Sequence, residues 1–126
     1  MTNIFNDNIV NIAKILNFSD DSESYIGGDH ANFNKYFNFA KFGAHYFKIP
    51  PGRRTSRPHA ESLEDEFFFI ISGEIDLWLN GRVKRMGSGD CIGFPAGTGI
   101  GHEFINNSTS KAELFSVGSE IFESSK

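Results

Sequence analysis

Four histidines occur in the chain, and two of them, His59 and His102, sit in segments that suit a metal site. In the run PHAESLEDEFFFIISGE, His59 and Glu61 are two positions apart, so on an extended segment both side chains leave the same face. Glu66 opens the apolar stretch EFFFIIS and shares its parity with Phe68 and Ile70. If those two point into a barrel, so does Glu66, and a carboxylate aimed at an apolar interior is costly unless it is paired or bound to a metal. A ligand role removes that cost. His102 is distant in sequence but opens HEFINN after a Gly-rich turn, where it closes the site from a facing strand. The chemistry these types suit is that of a Lewis-acidic divalent ion held by nitrogen and oxygen donors.

The remaining polar groups have plainer readings. His45 lies in GAHYFKI with Gly43, Phe47 and Ile49 on its parity, which makes it a core or site-wall histidine in preference to a ligand. Glu64 and Asp65 read as solvated bend residues. Arg53, Arg54 and Arg57 precede Glu61, Glu64, Asp65 and Glu66, a pattern that reads as a surface salt-bridge network. The alternative is an arginine that holds an anionic group of a substrate. Cys91, the single cysteine, has no cation or helix terminus nearby in sequence and reads as a small core residue. It excludes an internal disulfide and a multi-cysteine zinc cage. PAGTGIGH lacks the strand-to-helix context of a phosphate loop, so Gly97, Gly99 and Gly101 read as a sharp loop that delivers His102.

Strands punctuated by turns must position these groups. GAHYFKI ends at Pro50-Pro51-Gly52, where the ladder loses its donors. EFFFIIS runs into Gly73, and EIDLWLN places Ile75, Leu77 and Leu79 on one face. Asn80-Gly81 is the preferred pair for a type I′ hairpin into RVKRM. CIGFPAG, HEFINN and KAELFSVGS complete seven or eight short strands, the pattern of an all-β sandwich or barrel. Phe67 to Ile71 is apolar on both faces, so one face fills the barrel and the other requires cover from the N-terminal arm or a second subunit. Before Phe42 the chain is rich in Asn and acidic groups. A short helix is expected over Asp7 to Asn17, and DDSESYIGGDH reads as a loop. The expected division is an arm over 1–41, a barrel over 42–120 and a tail over 121–126.

At 126 residues there is room for one domain. The net charge of −4 gives no electrostatic footprint for nucleic acid. No apolar run is long enough for a membrane span, and MTNIFNDNIV lacks the pattern of a signal peptide, so a soluble, cytoplasmic protein is expected. Fourteen Phe and thirteen Gly in so short a chain agree with short apolar strands that turn often.

The motif spacing resembles the cupin superfamily. Gly52, six residues, His59-Ala60-Glu61, four residues, Glu66, six residues and Gly73 are similar to its first motif. Gly89, five residues, Pro95-Ala96-Gly97, four residues, His102, three residues and Asn106 are similar to its second. Glu61 departs from the pattern, standing where the family has a second His. The closest flavour is that of small bacterial single-domain cupins, some of which carry the label of sugar-phosphate isomerase. The resemblance implies a double-stranded β-helix, the jelly roll of the cupins. It also implies one divalent ion, Zn, Mn, Fe or Ni, on His59, Glu61, Glu66 and His102. Glu61 either completes that set or turns outward to an arginine, leaving His59, Glu66 and His102. The implied activity is sugar or sugar-phosphate isomerisation, or oxygenase chemistry if the metal is iron. The alternative is a metal-containing small-molecule binding or sensor protein without turnover. A homodimer is expected from the two-faced strand and the arm.

Overall fold

Period-two alternation of apolar side chains becomes two antiparallel sheets in the computed structural model, which describes residues 9–21, 23–56, 63–97, 99 and 101–119. The strands among these residues are β1 (Asn17–Asp21), β2 (Ile26–Asn32), β3 (Gly43–Ile49), β4 (Glu66–Ser72), β5 (Glu74–Leu79), β6 (Arg82–Gly87), β7 (Cys91–Phe94), β8 (His102–Ile105) and β9 (Ala112–Gly118). One sheet has the order β1-β2-β3-β9-β4-β7 and the other β6-β5-β8. Together they form the double-stranded β-helix that the motif spacing implied.

Turn chemistry sets the register. Asn80 and Gly81 both adopt positive φ (49° and 87°), as a type I′ hairpin requires, and β5 pairs with β6 from Leu79↔Arg82 to Glu74↔Gly87. Gly73, at φ 80°, turns β4 into β5 so close to the start of β9 that a Cβ there would lie 2.5 Å from the Lys111 carbonyl oxygen. No other residue fits that turn.

The core fills the space between the sheets. Ile70, Ile75 and Leu114 are fully buried, with Leu77, Met86, Phe94 and Phe104 beside them. Each such side chain contributes about 1.5–3 kcal/mol of burial. One seam of the barrel is closed by residues 52–55. Gly52 N–H donates to Asn106 O (2.8 Å), Asn106 N–H to Arg53 O (2.8 Å) and Thr55 N–H to Phe104 O (3.0 Å). On its other side Arg54 N–H donates to Tyr25 O (2.7 Å). This segment therefore zips β8 to the start of β2.

The N-terminal region departs from expectation. Of the helix expected over Asp7 to Asn17, the described part is a single 3-10 turn, Ile12–Lys14, capped by the Asn11 side chain, and Asn17 already begins β1. The stretch read as a loop supplies the end of β1 and most of β2, which extend the large sheet through β2–β3 pairing from Asp29↔Lys48 to Asn32↔His45. Backbone pairing at a sheet edge outweighs the weak local signal of these polar residues. Ile15 packs with Ala31 and Tyr46 on the outer face of the large sheet. The Tyr46 hydroxyl donates to Glu113 there, and burial together with that carboxylate holds the phenol well above its ordinary range. No helix among the described residues is long and apolar enough to cross a membrane.

Candidate metal and substrate site

The barrel interior is core at one end and cavity at the other. The cavity has a volume of about 400 Å³, within the range of small-molecule pockets. Glu66, Phe68 and His102 line it, as do His30, His45 and Phe47, which stand on β2 and β3 of the same six-stranded sheet as Glu66.

Glu66 points inward, as its parity with Phe68 and Ile70 predicted. Its Oε1 lies 2.9 Å from Nε2 of His102, with side-chain exposures of 18% and 2%. Two neighbours fix the His102 ring. Phe94 lies face to face with it, centroids 4.0 Å apart and planes 4° apart, and Phe68 meets it edge-on at 6.0 Å. These contacts arise because Glu66 pairs with Phe94 across β4 and β7, while Leu79 pairs with His102 across β5 and β8. The two sheets thus bring together a carboxylate and an imidazole that are 36 residues apart.

His59 and Glu61, the other expected ligands, lie outside the described residues, as does Arg57. No group of three or more His, Cys, Asp or Glu side chains clusters at metal-binding distance among the described residues. The chain enters that stretch at Ser56 and leaves it towards Glu64, and both of these residues line the cavity. Glu64, expected as a solvated bend residue, is half-buried there. Asp65 is exposed as expected, and its carboxylate accepts from Ala96 N–H (2.7 Å).

The arginines take partners other than the acids that follow them. Arg53 Nε donates to Asp20 (2.6 Å), and Arg54 Nη1 donates to both oxygens of Glu103 (3.2 and 3.3 Å). Glu103 is 2% exposed, on the face of β8 opposite His102. Arg54 Nε also donates to Ser24 O (2.7 Å), so this pair locks the closing segment against the strand that carries His102. Asn106, the last residue of the second motif, serves the backbone. Its amide donates to Ile49 O (2.7 Å) and Ser110 O (2.9 Å) and accepts from Ser108, so it holds the turn after β8 in place. Cys91 is exposed on β7 opposite Phe69 and is not a core residue; the parity that buries Ile92 and Phe94 turns it outward.

On β2, His30 was missed by the sequence reading, because that strand looks like a loop. Its inward parity with Gly28 is the only local signal. Gly28 has φ 125°, and a Cβ there would sit 2.4 Å from the Lys48 carbonyl oxygen, so the close approach of β2 and β3 demands glycine. His30 Nε2 and His45 Nδ1 are 3.0 Å apart. Burial, then the proximity of His45 and Lys35, hold the His30 imidazole below its ordinary pKa.

A jelly-roll barrel with an inward carboxylate and imidazole at one end of its cavity defines the class. The chain belongs to the cupin family: the model of the cupin domain matches residues 45–118. No curated protein matches the sequence at a significant level. Among solved structures, it is similar to a protein proposed as a sugar phosphate isomerase from Acidithiobacillus ferrooxidans. That likeness has a TM-score of 0.82 and 17% identity, covering 93% of this chain and 78% of that one. A sugar phosphate isomerase of the cupin superfamily from Silicibacter pomeroyi is similar at TM-score 0.73 and 26% identity, covering 84% and 69%. A predicted oxalate decarboxylase from Thermotoga maritima is similar at TM-score 0.73 and 20% identity, covering 90% and 99%.

Proposed function

We propose that this cupin is a metal-dependent enzyme of the sugar-phosphate isomerase type, acting on a small polar hydroxy-carbonyl substrate. The observation that carries the reading is the pairing of Glu66 with His102 in a cavity that two further imidazoles, His30 and His45, also line. In this reading His59, Glu61, Glu66 and His102 hold one divalent ion. The described part of that set fits such an ion: one carboxylate oxygen and one imidazole nitrogen converge from facing strands, with no thiolate to favour a soft metal. Ser56 and Glu64, which flank the stretch containing His59 and Glu61, support the placement by lining the same cavity. Two neutral and two anionic ligands balance a divalent charge and suit Zn, Mn, Fe or Ni. When bound, the ion supplies Lewis-acid polarisation of a substrate oxygen. The chain's own residues do the rest: Phe94 and Phe68 hold His102 in orientation, and the apolar floor of Phe68 and Phe104 excludes water beneath it.

Elemental analysis of untagged protein tests the reading. Stoichiometric zinc or manganese is the expected result, and stoichiometric iron would redirect it to oxygenase chemistry. A protein that binds an ion and turns over no phosphorylated sugar would favour the binding or sensor alternative. Failure to retain any divalent ion overturns it.

We further propose a homodimer through the outer face of β4. Phe67, Phe69 and Ile71 are 41%, 37% and 40% exposed there, while the described N-terminal residues pack farther along the sheet, against Ala31 and Tyr46.

A further inference from the structure

Among the described residues six polar side chains are buried: Ser24, Asp76, His102, Glu103, Asn106 and Ser116. Five of them have protein partners: Ser24 donates to Asp21 (2.6 Å), Asp76 accepts from Arg85 (2.5 Å), His102 meets Glu66 (2.9 Å), Glu103 accepts from Arg54, and Asn106 donates to Ile49 O (2.7 Å). The hydroxyl of Ser116, a residue 8% exposed, has no hydrogen-bond partner among the described residues. Its backbone lies mid-sheet, paired with His45 on β3 and Phe68 on β4, so only the side chain is left over. A hydroxyl buried in this way costs stability, and native folds keep such a group where a ligand or a water completes it. The register sets what it faces. Ala112, Leu114 and Ser116 alternate along the inner face of β9, the first two fully buried in the core and the third lining the cavity. Ser116 therefore stands where core gives way to cavity. Glu66 pairs with Gly118, two residues farther along that face, which makes Ser116 its diagonal neighbour on the adjacent strand, with Cα atoms about 7–8 Å apart. Gly118 keeps the floor beside Glu66 bare, since a Cβ there would lie 3.7 Å from Glu66 Cγ.

Resting on the hydroxy-carbonyl substrate of the reading above, we propose that Ser116 is a specificity residue whose hydroxyl pairs with one hydroxyl of the substrate's carbon chain, while Glu66 and His102 serve the reacting end. A serine hydroxyl both donates and accepts, so it matches an alcohol and does not match a methylene. Sugars that carry the hydroxyl complete Ser116. Deoxy analogues leave it buried and unpaired, and are rejected for that reason. The group that weakens the ligand-free fold is thus the one that sharpens recognition, the trade expected of a binding residue and not of a packing one.

The test is a thermodynamic cycle by isothermal titration on manganese- or zinc-reconstituted protein, with bound metal measured on every sample. The probes are a pentitol 5-phosphate and a hexitol 6-phosphate, which cannot isomerise, and the single-deoxy analogue of each at every free hydroxyl. Wild type should bind one analogue about tenfold more weakly than its parent, the scale of one hydrogen bond left unmade. Ser116→Ala should lose the same factor on the parent and nothing more on that analogue, the non-additivity of two groups that touch. Without ligand, Ser116→Ala should melt no lower than wild type, because it removes an unpartnered hydroxyl. A fall of about 4 °C or more would assign the hydroxyl to the fold and overturn the proposal. So would additive losses in the cycle, or a wild type that binds parents and analogues alike, as when water serves the hydroxyl. A wild type that binds no probe overturns the proposal together with the sugar-phosphate reading. Ser116-dependent binding by protein that holds no ion overturns the metal reading and leaves the Ser116 contact standing.

Discussion

Phe94 lies flat against His102, ring centroids 4.0 Å apart and planes 4° apart, so an aromatic residue of one sheet sets the orientation of a candidate ligand on the other. The contact fixes the imidazole plane and directs Nε2 at Glu66. Removing the stack frees the ring to rotate. Phe94→Leu should cost at most about 1.5 kcal/mol in thermal unfolding, since it nearly conserves volume. It should also weaken metal binding by about tenfold, the scale for partners that orient ligands. Unchanged affinity by isothermal titration would show that the stack serves packing alone.

Glu61→Gln separates the two forms of the ligand set. If Glu61 coordinates, metal affinity should fall markedly, because the amide removes an anionic donor. His59→Ala and His102→Ala should both lose the stabilisation that added divalent ions give the wild type. Variants that melt like wild type with and without added ions would reject the metal site.

Arg54 pairs with the buried Glu103 on the back of β8. Arg54→Ala leaves the Glu103 carboxylate at 2% exposure without its cation and should cost about 3 kcal/mol or more. The double variant Arg54→Met, Glu103→Leu should recover most of that loss, because replacing both charges with apolar groups removes the desolvation cost. Calorimetric unfolding of the single and double variants measures the difference.

Acid should destabilise the fold through the β5–β6 hairpin. Asp76 accepts from Arg85 Nε (2.5 Å) and Asn107 (3.0 Å), and its hydrogen bond with Arg85 is the main cause of a carboxyl pKa below the ordinary value of 3.8. The unfolded chain therefore binds the proton first. The contribution is complete above the ordinary carboxylate range and is lost as pH falls through the depressed folded value. Asp76→Asn should be less stable than wild type at neutral pH and converge with it in strong acid. Parallel stability curves across that range would remove Asp76 from the account.

The outer face of β4 predicts the assembly. Wild type should sediment as a dimer at micromolar concentration, and Phe67→Lys with Phe69→Lys should yield a folded monomer, since the substitutions charge an exposed face and leave the core intact. A clean wild-type monomer would end the homodimer proposal.

Local pattern was enough to read β3 to β9, the Asn80-Gly81 hairpin and the inward course of Glu66, because alternation and turn chemistry act over a few residues. It was not enough for β1 and β2. Asn17–Asp21 is wholly exposed, so no apolar parity marks it as a strand, and Gly27 and Gly28 read as loop until the approach of Lys48 shows why glycine is needed there. The outward turn of Cys91 and the partners of Arg53 and Arg54 likewise depend on which strand lies alongside. His30 and His45 are each visible as a single residue, but only the β2–β3 register brings their nitrogens to 3.0 Å. By itself the sequence determined the barrel strands, the inward course of Glu66 and a core or site-wall place for His45, since these follow from near neighbours along the chain. The tertiary structure alone decided that His30 joins His45 there, since strand pairing between distant segments has no local signature.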